Sequence, residues 1–354
     1  MRLSQAIETV LHCVELNIPA HLSGAPGIGK TDGVAAAMRE RGYGFQAETL
    51  GTMESVDLRG LPGHDGNGGV VWSKPDFLIR LDKLAAEYSH TLVGFMIDEI
   101  NANGPSVQVP CMALIRERHL GPHYLPANVR IITAGNRGSD RAAAQRMGTA
   151  LANRLCHLPV DSPASADGVK EWCKWGSANG VHPMMLAFQM LRGAPSGIEG
   201  QPGFQPGLLH WFDPASPEPA FPSPRSVAEA AKACDKPQHV RRAIVRGCCG
   251  EAFSAEFEGF AQIYSSLPPI MSILANPAGA KVPSEDNPAA RFAVSMALGR
   301  AATPVNFAAV LTYMGRVGRE FEIVTVTDAL RRCPDLSDTP AFVNWAARNS
   351  DVSI

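Results

Sequence analysis

The sequence predicts an α/β fold, a parallel sheet sandwiched by helices, followed by a mostly α-helical region. Three observations carry this reading. Short apolar runs alternate with helix-spaced segments through the N-terminal part of the chain. Some of those runs are nearly all apolar, as strands covered on both faces are. The glycine-rich stretch Gly24-Ala25-Pro26-Gly27-Ile28-Gly29-Lys30-Thr31 sits between one such run and a helix-like segment.

The elements follow in order. Leu3, Ile7, Val10, Leu11 and Val14 have helical spacing, so a helix precedes the first strand, Pro19 to Ser23. Residues 32–39 read as a helix that Gly33 weakens, and Gly44 to Leu50 as a second strand. Asp65-Gly66-Asn67-Gly68-Gly69 is a turn signal, with Val70-Val71-Trp72 as the return strand of a hairpin. Pro75 to Tyr88 reads as a helix. Val93 to Ile97 is an apolar strand ending in Asp98-Glu99, and Gly94 interrupts it. Helical spacing resumes over 105–118, a short hairpin or loop fills 118–125, and Val129 to Ala134 is a strand ending at Gly135-Asn136. Leu158-Pro159-Val160 is the expected last strand. Residues 193–225 are dense in Pro, Gly and Ser and read as a long connection. Helical patterning dominates from about Ser226, and residues 283–288 read as a plain loop.

With 354 residues, 45% apolar and 19% charged, the chain has room for two domains and a sizeable core. Its 32 basic and 34 acidic residues nearly cancel, which removes any global drive toward nucleic acid or an anionic membrane. The N-terminus lacks a signal-peptide layout, and no apolar run reaches membrane-spanning length. Cysteines at 13, 111, 156, 173, 234, 248, 249 and 333 form no C-x-x-C pair and no zinc spacing. Reduced, mostly buried thiols in a cytoplasmic protein are the expectation.

The chemistry begins at Gly24–Thr31, which fits G-x-x-x-x-G-K-[ST], the phosphate-binding P-loop. Glycines let the backbone turn its N–H groups toward phosphate oxygens. Lys30 is placed to reach the β and γ phosphates, and the Thr31 hydroxyl to hold Mg²⁺. Asp98 is the candidate carboxylate for Mg²⁺, and Glu99 the candidate base for an attacking water. Taken alone, the two acids are equally a solvated turn after a buried strand. Asn136 could hydrogen-bond that water, or simply suit a strand end.

Together with Arg154 in Ala150-Leu151-Ala152-Asn153-Arg154-Leu155, these motifs resemble an AAA+ ATPase. The finer likeness is to the MoxR-like group. It is carried by Val56-Asp57-Leu58-Arg59-Gly60-Leu61-Pro62, Asp98-Glu99-Ile100-Asn101, Leu114-Ile115-Arg116-Glu117-Arg118, and Phe221-Pro222-Ser223-Pro224-Arg225-Ser226. Ordered motifs cover roughly residues 1–230.

The resemblance implies a P-loop NTPase core over residues 1–162, a linker and Pro/Gly-rich segment over 163–225, and an α-helical lid domain with a C-terminal extension over 226–354. It implies ATP and Mg²⁺ as cofactors, with Gly24, Ala25, Pro26, Gly27, Ile28, Gly29, Lys30, Thr31 and Asp32 around the nucleotide. Thr31 and Asp98 would hold Mg²⁺, and Glu99 would be the general base. Asn136 would be the first sensor, Arg154 an arginine finger acting on a neighbouring subunit, and Arg225 the second sensor. Arg137, Arg141 and Arg146 compete for the finger role. A finger in trans makes activity depend on assembly, and the resemblance implies a homo-oligomeric ring, a hexamer. Members of that group act on protein partners, commonly ones carrying a von Willebrand factor A-type domain. Leu155 stands where the group often has Phe, a change of packing rather than chemistry.

Other features have two readings. The hairpins near 64–72 and 118–125 could bring His64, or His119, Leu120 and Tyr124, to a substrate, or be exposed turns. Trp172, Trp175, Met184, Met185, Phe188 and Met190 suit a lid core or a partner face. His239, Arg241, Arg242 and Arg246 could touch DNA or form a solvated helix face. Trp211 and Phe212 could anchor the Pro/Gly-rich segment. Beside the expected ATP-driven remodelling of a protein stand two alternatives: a nucleic-acid motor or restriction-type NTPase subunit, and a nucleotide-switched scaffold with little turnover.

Overall fold

The computed structural model describes residues 1–352 except 139–144, 146, 198–200, 202, 214, 215, 217 and 266. The chain divides into two compact units, one built from Met1–Ser162 and the other beginning at Pro163.

In the first unit the order is α1 (Leu3–Glu15), β1 (Ala20–Ser23), α2 (Lys30–Glu40), β2 (Gly44–Thr49), α3 (Ser55–Arg59), β3 (Pro62–His64), β4 (Val70–Trp72), α4 (Asp76–Glu87), β5 (Val93–Asp98), α5 (Pro105–Arg116), β6 (His119–Leu120), β7 (His123–Tyr124), β8 (Val129–Gly135), α6 (Thr149–Ala152) and β9 (Cys156–Pro159). A five-stranded sheet runs in the order β2-β5-β8-β1-β9, and every pairing in it is parallel. β3–β4 and β6–β7 are separate antiparallel hairpins.

Side chains alternate across the sheet with the period of a strand. Phe95 and Ile97 of β5, with Val129 and Ile131 of β8, join one buried core with Phe77, Leu78 and Leu81 of α4 and Leu114 of α5. Met96, Ile132 and Ala134 point the other way, to Val10 and Val14 of α1 and Val34 and Met38 of α2. Burying both faces explains why these strands read as apolar runs. Gly94 has a packing reason: a Cβ there would stand 2.8 Å from Met38 Cε, so the missing side chain lets α2 lie close to β5.

The second unit is helical, with α7 (Ala166–Ala178), α8 (Pro183–Arg192), α9 (Pro224–Ala231), α10 (Gln238–Cys249), α11 (Glu251–Ser265), α12 (Ile270–Ala275), α13 (Pro288–Ala301), α14 (Phe307–Val317), α15 (Arg319–Arg332) and α16 (Pro340–Arg348). Two cores hold it. One centres on Phe188, whose ring meets Phe253, Phe257 and Phe260 at centroid distances of 5.4, 5.3 and 5.6 Å. The other gathers Phe307, Tyr313, Met314, Phe321 and Trp345. Inside the unit, Ser177 donates to Asp328 Oδ1 at 2.6 Å, and Arg332 Nε to Asp328 Oδ2 at 3.0 Å, so the buried carboxylate is paired.

The span 163–225, expected as a linker, differs from that expectation in its first part. Residues 166–192 form α7 and α8, and Trp172, Met184, Met185 and Phe188 lie in the helical core. Met190 packs against that core, whereas Trp175 is 46% exposed. Glycines hide α7 in the sequence. Gly168 and Gly176 lower helix propensity, yet a Cβ would stand 2.3 Å from the Pro163 carbonyl oxygen at the first and 3.0 Å from Leu186 Cδ2 at the second. Near the end of the span, the Phe212 and Phe221 rings lie 4.7 Å apart and the Trp211 N–H donates to the Pro222 carbonyl at 3.0 Å.

Among the described residues no helix is long and apolar enough to cross a membrane. All eight cysteines are free thiols. Burial raises Cys111 to about 12, which leaves it un-ionised and unreactive at neutral pH.

Candidate functional site at the carboxyl edge of the sheet

In a parallel sheet every strand delivers its last residue to the same edge. β1 lies between β8 and β9, while the next strand in the chain, β2, lies at the far side of the sheet. The crevice at such a switch point is where open α/β sheets bind ligands. The chain places its chemistry there: Gly24 follows β1, Asp98 ends β5, and Asn136 follows β8.

The loop Gly24–Gly29 leaves β1 and enters α2 at Lys30. Two of its glycines take left-handed backbone, Gly27 at φ 74° and Gly29 at φ 88°, which a side chain disfavours. Gly24 is needed for closeness, since a Cβ there would stand 2.9 Å from Ile28 Cδ1 and 3.1 Å from the Val160 carbonyl oxygen. Ala25 and Ile28 are buried and fix the loop to the core beneath it. The first N–H groups of α2 have no partner within the helix, so the loop and the helix dipole favour an anion. Asp32 is exposed in that first turn, where a carboxylate stabilises the helix.

Lys30 is buried, and its ammonium donates to the carbonyls of Gly24 at 2.8 Å and Ala25 at 3.0 Å. It also donates to Asn136 Oδ1 at 3.4 Å, so the ends of β1 and β8 meet at this cation. Thr31 donates its hydroxyl to Asp98 Oδ2, which joins α2 to the end of β5. A hydroxyl oxygen beside a carboxylate is a hard-donor pair that suits Mg²⁺ completed by phosphate oxygens and water. Among the described residues no group of three or more His, Cys, Asp or Glu forms a metal cluster; a P-loop site requires one carboxylate and a hydroxyl, and these are the residues present.

Glu99 sits at φ 54°, a conformation that is uncommon for non-glycine residues and costs about 1–3 kcal/mol. Its N–H donates to Asp98 Oδ1 at 2.8 Å, and the N–H of Ile100 donates to the Ala134 carbonyl at 3.0 Å. The turn swings Glu99 out of the strand direction. Its carboxylate lies over Gly51, where a Cβ would stand 2.5 Å from Glu99 Oε2.

Sequence reasoning gave no role to Gly51, His21 or Thr133, and quoted Asn101 within a motif without assigning it one. Asn101 is buried; its Nδ2 donates to the Asn136 carbonyl at 2.8 Å and its Oδ1 occupies the space above Gly135. It thereby holds the backbone that carries Asn136. Under the loop, His21 Nδ1 and Thr133 Oγ1 are hydrogen-bonded at 2.9 Å, and Thr133 donates onward to the Ala20 carbonyl at 3.1 Å. Burial pushes the His21 imidazole down to about 4, with the charges of His157 and Lys30 adding to it. A neutral His21 avoids a second positive charge beside Lys30.

Lys30, Thr31, Asp98, Glu99 and Asn136 are therefore brought to one edge. Arg154 is not. It follows α6 and lies two residues before the start of β9, and β9 runs parallel to β1, so Arg154 lies at the amino edge of the sheet. Its guanidinium donates to the Ala150 carbonyl, and its Nε is buried with no hydrogen-bond partner among the described residues. Leu155 joins the core beside it, as a packing residue would. Of the competing arginines, Arg137 donates to the Val160 carbonyl and lies 4.0 Å from Asp161, while Arg141 and Arg146 lie outside the described residues. Arg225 belongs to the helical unit. It is exposed at the second position of α9 with no ion-pair partner among the described residues, although a cation there opposes the helix dipole.

The remaining candidates separate by exposure. Leu120 is 2% exposed and belongs to the core, so it is not a substrate contact. Tyr124 is 70% exposed, and His64 is exposed on β3. His119 faces Glu117 at 3.1 Å and the Gly121 carbonyl at 2.9 Å. The basic patch on α10 is partly ion-paired: Arg241 pairs with Glu258 at 2.8 Å, and Arg242 and Arg246 share the single carboxylate of Glu251 at 3.3 and 2.7 Å.

No protein-family model matches the chain, and no curated protein matches it.

Proposed function

We propose that this protein is a Mg²⁺-dependent ATPase of the AAA+ type, similar to the MoxR-like group, that works as a ring of copies on a protein partner. The observation that carries the proposal is the convergence of Lys30, Thr31, Asp98, Glu99 and Asn136 at the carboxyl edge of one parallel sheet, around a loop with two left-handed glycines.

The division of labour follows from charge. The loop N–H groups and the Lys30 ammonium hold the phosphate chain and stabilise the negative charge that grows on it during transfer. Thr31 and Asp98 would hold Mg²⁺, which would supply positive charge against the phosphates. Glu99 orients water and takes its proton, with Asn136 as a second hydrogen-bonding group beside Lys30.

Arg154 supports the ring. The strands set the amino edge apart from the phosphate loop by about 10 Å or more at ~3.3 Å per residue, beyond the reach of one guanidinium. In this reading Arg154 serves a neighbouring copy rather than its own loop. Arg225, a solvent-facing cation at a helix start, fits a residue whose partner is a nucleotide rather than the fold. The near balance of 32 basic and 34 acidic residues favours a protein partner over DNA; a separate von Willebrand factor A-type protein is the partner class we propose.

Nucleotide binding tests the proposal. Lys30→Ala is expected to lose ATP binding, whereas Glu99→Gln keeps binding and loses turnover. Tight ATP binding by Lys30→Ala overturns the assignment of the loop.

A further inference from the structure

At the amino edge of the sheet the first unit contains a cleft of about 520 Å³ lined by Asn17, Pro19, Arg116, Arg118, Asn153 and Arg154, with Ile115 and Ile131 as its floor. Among the described residues no carboxylate lines it. Arg118 is tied down: it donates to the Pro126 carbonyl at 2.7 Å, and burial beside the Arg130 charge lowers its pKa. Arg116 ends α5, is exposed, and has no hydrogen bond or ion pair among the described residues. Arg154 keeps a buried Nε without a hydrogen-bond partner among the described residues. Arginines gathered without a counter-charge repel one another. Such a cluster is stabilised by an anion, and planar guanidinium forks match phosphate oxygens.

We propose that this cleft is a second phosphate-binding site, in which Arg116 joins Arg154 on the terminal phosphate of a nucleotide held by a neighbouring copy of the chain. The inference rests on the ATPase reading above and adds Arg116 as a further catalytic residue acting between subunits. Two guanidinium groups spread the neutralisation over more than one phosphate oxygen.

The test is complementation between damaged copies of the full chain. Arg116→Ala is expected to bind ATP normally and to lose about 10²-fold or more in turnover per subunit, with Arg116→Lys recovering part of it. Glu99→Gln has dead sites of its own but intact arginines. Mixing it with Arg116→Ala should restore turnover, because Glu99→Gln copies supply Arg116 to sites that retain Glu99. Unchanged turnover in Arg116→Ala, or a loss that mixing does not restore while the loss in Arg154→Ala is restored, overturns the role of Arg116 and leaves the ATPase reading standing. Wild-type turnover that Lys30→Ala fails to reduce overturns the ATPase reading, and the inference with it.

Discussion

The Thr31 hydroxyl donates to Asp98 across 67 residues of sequence, and that bond joins the start of α2 to the end of β5. It places the two groups proposed to hold Mg²⁺ side by side before any nucleotide arrives. Preorganisation of this kind lowers the cost of assembling a site when substrate binds. The first prediction follows. Asp98→Asn is expected to fold, since its amide oxygen still accepts one of the two bonds and the loss of the other costs about 1.5–3 kcal/mol. Its Mg²⁺-dependent ATP turnover should fall by about 10²-fold or more. Turnover assays across a magnesium titration check this, and an unaltered magnesium response would remove Asp98 from the metal site.

Gly51 provides the second prediction. A methyl group there meets Glu99 Oε2 at 2.5 Å, and Ala102 Cβ at 3.3 Å is the other close neighbour. The glutamate end is flexible, so Gly51→Ala should push the carboxylate aside without unfolding the chain. We expect kcat to fall by about 10-fold or more, within the range that positioned proton transfer contributes. ATP affinity and thermal midpoint should stay near the wild-type values. A loss of affinity equal to the loss of kcat would place Glu99 in binding rather than catalysis.

His21 makes stability depend on pH. Its imidazole is pushed from an ordinary 6.5 to about 4, first by burial and then by His157 and Lys30. Below pH 6.5 the unfolded chain takes up a proton that the folded chain refuses until about pH 4. Stability is therefore present above pH 6.5 and is lost as pH falls through that window, by up to about 3 kcal/mol at ~1.4 kcal/mol per pH unit. Urea unfolding of the wild type and His21→Asn between pH 7 and pH 4 measures it. The variant is expected to be less stable at pH 7 and to show a shallower decline; parallel declines would assign the effect to other groups.

Much of the first unit was legible because its residues state their own constraints. Val93–Ile97 and Val129–Ala134 are apolar on both faces, which marks a covered parallel sheet, and Gly27, Gly29 and Lys30 occur in a pattern whose spacing is a backbone requirement. The supporting groups were not legible. Asn101 acts on a carbonyl 35 residues away, and Gly51 matters only because Glu99 turns left-handed above it. Neither relation leaves a local signal. The helices over 166–192 lie within the span expected as a linker; Gly168 and Gly176, needed for close packing, lower the helix propensity of α7. Arg116 was visible as a residue and silent as a site. Its role depends on which edge of the sheet it occupies, and that emerges once strand order is known.

The most direct measurement is ATP turnover per subunit over a series of protein concentrations, with Lys30→Ala as the zero. Sites completed by Arg154 of a neighbouring copy predict a per-subunit rate that rises with concentration and then saturates, and a rate near zero for Lys30→Ala throughout. A wild-type rate no greater than that of Lys30→Ala at every concentration would contradict the account.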